Sequence, residues 1–263
     1  MAELQLQGWE PGRVERRIWT HANQGLATCT QADGTSHQVF RGDASVPDRL
    51  KASGWDHVGD PDSSKGYVFD AYQGPPDRKM FEVTAPDGTV QDHVHALTAG
   101  EMLNNSFVAV CPSSSWMLSG EWSTVDHLLI FPTPVLNPAH DDPGVDLPLA
   151  GRVTLDHPIR NVQGATFVDD TTVLCSTDDH DGGLWPVPCP LLEICLARPL
   201  DGDDVAGEVR CLGGLPLSSI CPGTCEVEGL DYDVAGHILR VVVVPPWPCK
   251  VLVAVHCFQR TAT

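Results

Sequence analysis

Five stretches scattered along the chain repeat one short pattern, a polar residue followed by a small or β-branched one. They are "NQGLATC" at 23–29, "DHVGDPD" at 56–62, "NNSFVAVC" at 104–111, "VQGATFVDD" at 162–170 and "VEGLDYD" at 227–233. Stacking them aligns Gln24, His57, Asn105, Gln163 and Glu228, separated by 33, 48, 58 and 65 residues. Repetition on this scale marks a unit that cannot bury its own apolar face and must stack on its neighbours. The segments between the anchors are runs of short strands closed by turn residues, such as "GYVFDAY", "KMFEVT" before "APDG", "WMLSGEW" and "HLLIFP". A four-stranded blade needs about 40–50 residues plus loops, the scale of the gaps of 48, 58 and 65.

The pattern therefore predicts an all-β chain, one β-propeller domain over residues 1–263 with five blades. The gap of 33 residues leaves the first blade short of strands. The last blade supplies "HILRVVVV" and "KVLVAVHCF" before the chain ends, so "GRVERRIWT" near the N-terminus is expected to complete it and close the ring. Closure of that kind removes exposed sheet edges. Only "PDRLKAS" and "TAGEML" read as short helices.

Charge narrows the partners. The formal net charge is −19, a field that repels phosphate backbones and anionic membrane surfaces. Nucleic acid and membrane are not expected as partners. A small-molecule or carbohydrate substrate is, together with a monomeric state. "MAELQLQGWEPGRVERR" has no apolar core of a signal peptide, so a cytoplasmic location with reduced thiols is the expectation, with a secreted mature form left open. Cys221 and Cys225 form a C-x₃-C without a second pair at zinc-finger spacing, which gives no structural zinc.

In a propeller the first strand of each blade lines the central channel, where small residues let backbones come close. Gly25, Gly164 and Gly229 fit that demand beside their anchors. Gln24, His57, Asn105, Gln163 and Glu228 are then expected to form a collar around the axis. Oxygen ligands of this kind, a carboxylate with amide carbonyls, suit Ca²⁺. "EGLDYD" at 228–233 resembles the strand E-G-(Leu/Ile)-x-(Tyr/Phe)-D of the calcium-dependent SMP-30/gluconolactonase and paraoxonase-like propellers. The resemblance covers six residues, and those families have six blades. It implies Glu228 and then Asn105 as metal ligands, and a metal that polarises a lactone or ester.

"WDHVGDPDSSKGYVFDAYQ" at 55–73 somewhat resembles the aspartate-proline stretch of five-bladed glycoside hydrolases, which need a second carboxyl across the sugar. That implies Asp60 near the axis, with Glu228 or Glu226 opposite. Trp55, Trp116, Trp122 and Trp185 are candidates to stack on a sugar face, or to pack between blades. His93 and His95 alternate on one strand face and are expected as a surface pair, and "TDDHDGG" at 177–183 as a solvated acidic loop over a channel mouth.

Three functions follow from this set. The leading one is a small-molecule hydrolase or lyase. In it His57 and Glu228 are catalytic, Gln24, Gln163, Asp60 and Trp55 bind substrate, and Glu228 and Asn105 hold a Ca²⁺ cofactor. The second is a glycoside hydrolase-like enzyme. The third is a non-catalytic propeller that binds a ligand or a protein.

Overall fold

Strands with apolar residues at every position bury both faces, and the third blade shows how. Phe107 and Ala109 point to one side while Val108 and Val110 point to the other; Leu128 and Ile130 divide from Leu129 and Phe131 in the same way. A sheet with two such faces must be sandwiched between two others, which a radial stack of blades provides. The computed structural model describes residues 6–140, 142–217 and 219–261, and among them the sheets form that stack.

Strand β1 (Trp9–Ile18) and a helical turn α1 (Trp19–Ala22) precede blade one, a hairpin of β2 (Gly25–Thr30) and β3 (Ser36–Arg41). A short helix α2 (Asp48–Lys51) follows it. Blade two has β4 (His57–Val58), β5 (Asp62–Ser64), β6 (Tyr67–Gln73), β7 (Arg78–Thr84) and β8 (Val90–Ala96), with β4 and β5 both paired to β6. Blade three is the meander β9 (Val108–Val110), β10 (Trp116–Ser119), β11 (Thr124–Pro132) and β12 (Gly151–Arg160). Blade four is β13 (Val162–Asp169), β14 (Thr172–Thr177), β15 (Pro190–Leu196) and β16 (Val205–Gly214). A short parallel pairing of β12 with β16 joins these two blades at their outer edges. Blade five is β17 (Glu226–Asp233), β18 (Ile238–Val244) and β19 (Leu252–Arg260), and β1 adds antiparallel to β19 as its fourth strand.

The inner strands touch in sequence around the axis, β2 to β5, β5 to β9, β9 to β13, β13 to β17 and β17 back to β2. The chain is thus a five-bladed β-propeller closed by its N-terminal strand. Between each pair of larger blades lies one apolar layer. Blade one has two strands, and its missing outer half is replaced by Val46 and Leu50, which pack with Trp55 and Val58 against Tyr72 and Met80 of blade two.

Three expectations change. "TAGEML" is a turn rather than a helix: Gly100 has φ +89° and Glu101 folds back onto the Thr98 N–H. His93 and His95 are buried, not a surface pair, and His95 lies between the Leu147 carbonyl at 2.7 Å and Glu101 at 2.9 Å. Cys221 is bridged to Cys249, with Cα atoms 5.9 Å apart, in place of reduced thiols throughout. No helix among the described residues is long and apolar enough to cross a membrane.

Candidate active site

Each inner strand runs along the axis from one channel mouth towards the other, so the residue order along it is a depth scale. Gln24 and Gly25 are followed by Thr28; Glu228 and Gly229 are followed by Asp231. At the middle depth stands Asp60, with no exposed surface. Its Oδ1 accepts the Leu26 N–H at 3.0 Å from blade one, and its Oδ2 the Leu230 N–H at 3.1 Å from blade five. A β-carbon on Gly25, Gly164 or Gly229 would lie 2.1, 2.3 or 1.9 Å from this carboxylate. The three glycines are the cradle of a plug. Asp60 is therefore not a substrate-binding residue, and it cannot serve as a glycosidase nucleophile, because nothing reaches it. Burial holds its pKa well above the usual carboxylate range, against the two N–H donors.

One mouth holds four of the five anchors. Gln24, His57, Gln163 and Glu228 line a cavity of about 390 Å³, joined by Gln73, Asn104, Ser106 and Trp122. Burial lowers the pKa of His57, so its imidazole is neutral at physiological pH. Glu228 is shifted the other way: burial, with the negative charges of Asp178 and Glu226, raises its pKa well above the ordinary value. No described residue donates a hydrogen bond to its carboxyl group. Gln73 faces His57 across the β4–β6 pairing and accepts a 3.0 Å hydrogen bond from Asn104. Trp122 is 43% exposed and offers the aromatic surface of this mouth.

Asn105 does not join the collar. It is fully buried, its Nδ2 donates to the carbonyls of Tyr72 and Met80, and its Oδ1 accepts from Ser119. The reason is one step of register: extended backbone alternates sides, so Asn104 and Ser106 face the cavity and Asn105 faces away. Trp55 is likewise removed, packed in the core beside Val58 and Tyr72 instead of reaching the channel. Trp122, Gln73, Asn104 and Ser106 are the lining residues that the anchors alone do not reveal. The doubled asparagine of "NNS" and the tryptophan of "GEWS" were their only signals.

Calcium takes six to eight oxygen ligands, usually with more than one carboxylate. Among the residues lining this mouth only Glu228 carries a carboxylate, and it is biased towards its protonated form. With Asn105 committed elsewhere, the residues present do not fit a Ca²⁺ centre. A retaining or inverting glycosidase pair is absent here for the same reason, since Glu226 lies 3.7 Å from Lys250 and does not line the cavity.

The far mouth is a second cavity of about 390 Å³, and its acids work as clamps between blades. Asp62 accepts the Val110 N–H of blade three, and burial raises its pKa to about 7. Asp231 accepts from the Thr28 N–H and hydroxyl of blade one and from Arg240 at 2.9 Å.

No family model matches the chain, and no curated protein sequence does. Solved structures with a similar outline include the Malassezia sympodialis allergen Mala s 1, at 11% identity and a TM-score of 0.46 over 87% of this chain and 64% of that one. The β-propeller domain of Cps50 (Swd1) from Myceliophteria thermophila gives 13% identity and 0.42, over 83% and 58%. The periplasmic gluconolactonase PpgL of Pseudomonas aeruginosa gives 13% and 0.39, over 65% and 44%. The chain thus spans less than two thirds of each of these proteins. Likeness at this depth carries no argument about activity, and the fold stands on the sheet topology.

Proposed function

We propose that the mouth lined by His57 and Glu228 is the active site of a small-molecule hydrolase or lyase that works by metal-free acid–base chemistry on a neutral, hydroxyl-rich substrate. The observation that carries this is that His57 and Glu228, two proton-transfer groups, line one cavity among uncharged amides; burial, which lowers the pKa of the first and raises that of the second, supports it. Environments that push such pKa values apart assign the roles of base and acid. Neutral His57 takes a proton from the attacking water, or from the substrate in an elimination, and protonated Glu228 returns one to the leaving oxygen. The amides of Gln24, Gln73, Asn104 and Gln163 supply donors and acceptors without charge, and Trp122 supplies a face for a sugar ring or lactone.

Trp122 also favours a second reading, a non-catalytic carbohydrate-binding module. Both are tested on one panel of neutral glycosides, sugar esters and lactones. For a substrate that is turned over, His57→Ala and Glu228→Gln each lower kcat by about 10²–10⁴. The wild-type profile of kcat/KM against pH rises as His57 loses its proton and falls as Glu228 loses its own. Turnover unchanged in both variants overturns the assignment. Saturable binding without turnover, lost in Trp122→Ala, selects the binding module instead.

A further inference from the structure

Outside this cavity, the segment after β14 and the start of β15 bring three unlike side chains together. Asp178 and His180 follow β14, and Cys189 precedes β15. The His180 Nε2 lies 3.0 Å from the Asp178 Oδ1 and 3.6 Å from the Cys189 Sγ, and that sulfur is 4.0 Å from the same carboxylate oxygen. Metal bonds of about 2.0 Å to oxygen, 2.0–2.1 Å to nitrogen and 2.3 Å to sulfur, set at tetrahedral angles, place such donors about 3.3–3.6 Å apart. The three observed edges bracket that range. The sulfur also lies 3.4 Å from the His180 Nδ1, hence over the face of the imidazole, so the partly exposed His180 ring has to turn to bring a nitrogen lone pair onto an ion shared with the sulfur.

The scaffold under it is fixed. The Asp178 N–H donates to the Asn161 carbonyl, the Cys189 N–H to the Asp179 carbonyl, and the Leu215 N–H to the Cys189 carbonyl. The Val227 N–H also donates to the Asp178 Oδ1 at 2.8 Å, which fixes the oxygen that faces His180 and Cys189. Cys189 is fully buried, whereas the Asp178 and His180 side chains retain 19% and 31% of their exposure. An ion would rest on the sulfur from the solvent side, and its fourth position would go to water. Thiolate, imidazole and carboxylate together select a borderline-soft ion and disfavour calcium or magnesium.

We propose that Asp178, His180 and Cys189 form a binding site for one zinc-class divalent ion at the rim of the propeller. The proposal does not rest on the His57–Glu228 reading, although Asp178 is one of the charges that raise the Glu228 pKa. It is tested with Zn²⁺ and Co²⁺ as the probes, added to the full chain after treatment with a chelator. Zinc is expected to bind with a stoichiometry of one in titration calorimetry. Cobalt is expected to show a thiolate-to-metal charge-transfer band and the intense visible bands of a tetrahedral ion. Cys189→Ser should abolish the charge-transfer band. His180→Ala, a change at a half-exposed side chain, should weaken zinc binding at least tenfold while circular dichroism stays that of the wild type. Absence of stoichiometric binding, or a cobalt spectrum unchanged in either variant, overturns the proposal.

Discussion

At the scale of single residues, Asp60 explains most about the axis. Three inner strands come within backbone distance because Gly25, Gly164 and Gly229 present no β-carbon, and one carboxyl group fills the remaining space. Removing it in Asp60→Ala leaves the N–H groups of Leu26 and Leu230 without acceptors. Unmet buried donors cost about 1–3 kcal/mol each, so a loss of about 2–6 kcal/mol at pH 5 is expected in urea unfolding. Because the folded pKa of Asp60 is raised, the native state holds its proton longer than the unfolded chain does. The stability Asp60 contributes is therefore largest at low pH and declines as pH rises, and the deficit of the variant should shrink between pH 5 and pH 8. A deficit that grows over that interval would mean that the carboxylate is ionised in place.

The same scale separates what sequence could show from what it could not. "VEGLDYD", "VQGATFVDD" and "NQGLATC" announce their channel position through a polar residue beside a glycine, and Glu228, Gln163 and Gln24 do meet at one mouth. "NNSFVAVC" lacks the glycine, so nothing pins its register, and alternation turns a one-residue slip into the wrong side. Asp60 and Trp55 failed as site residues for a different reason. Whether an acid or a tryptophan ends at a surface or in a core depends on what covers it from distant segments.

At the scale of elements, closure by β1 was visible because the last blade had too few strands and a β-rich stretch stood unclaimed near the N-terminus. Trp9 fastens that strand: it is 6% exposed and meets Tyr232 of β17 edge-on, with ring centroids 5.7 Å apart. Trp9→Ala should cost about 3–5 kcal/mol, read as a lower urea midpoint. A change below 1 kcal/mol would show that β1 adds a fourth strand without holding the ring. The helix expected at "TAGEML" failed because apolar spacing over six residues says little once a glycine with positive φ and a side-chain acceptor for a backbone N–H are both at hand.

At the scale of the whole molecule, the acidic composition is only partly a solvated surface. Asp60, Asp62, Glu82, Glu228 and Asp231 are all raised in pKa, chiefly by burial, with Asp62 and Glu82 each near about 7. Each favours the folded state less as pH climbs from about 4 towards its own folded value. His57, His93 and His256 are lowered by burial and act in the opposite sense below about pH 6.5. Above that pH the histidines no longer contribute a slope. Unfolding free energy is therefore expected to fall between pH 6.5 and pH 8; a rise across that window would mean that the buried acids are ionised and paired in the native state.

A ring sealed at mid-depth by a carboxyl group has two vestibules and no thoroughfare between them. Whatever docks against Trp122 must back out past Trp122, so departing and arriving molecules share one doorway. Crowding at the Asp62 face leaves that queue untouched.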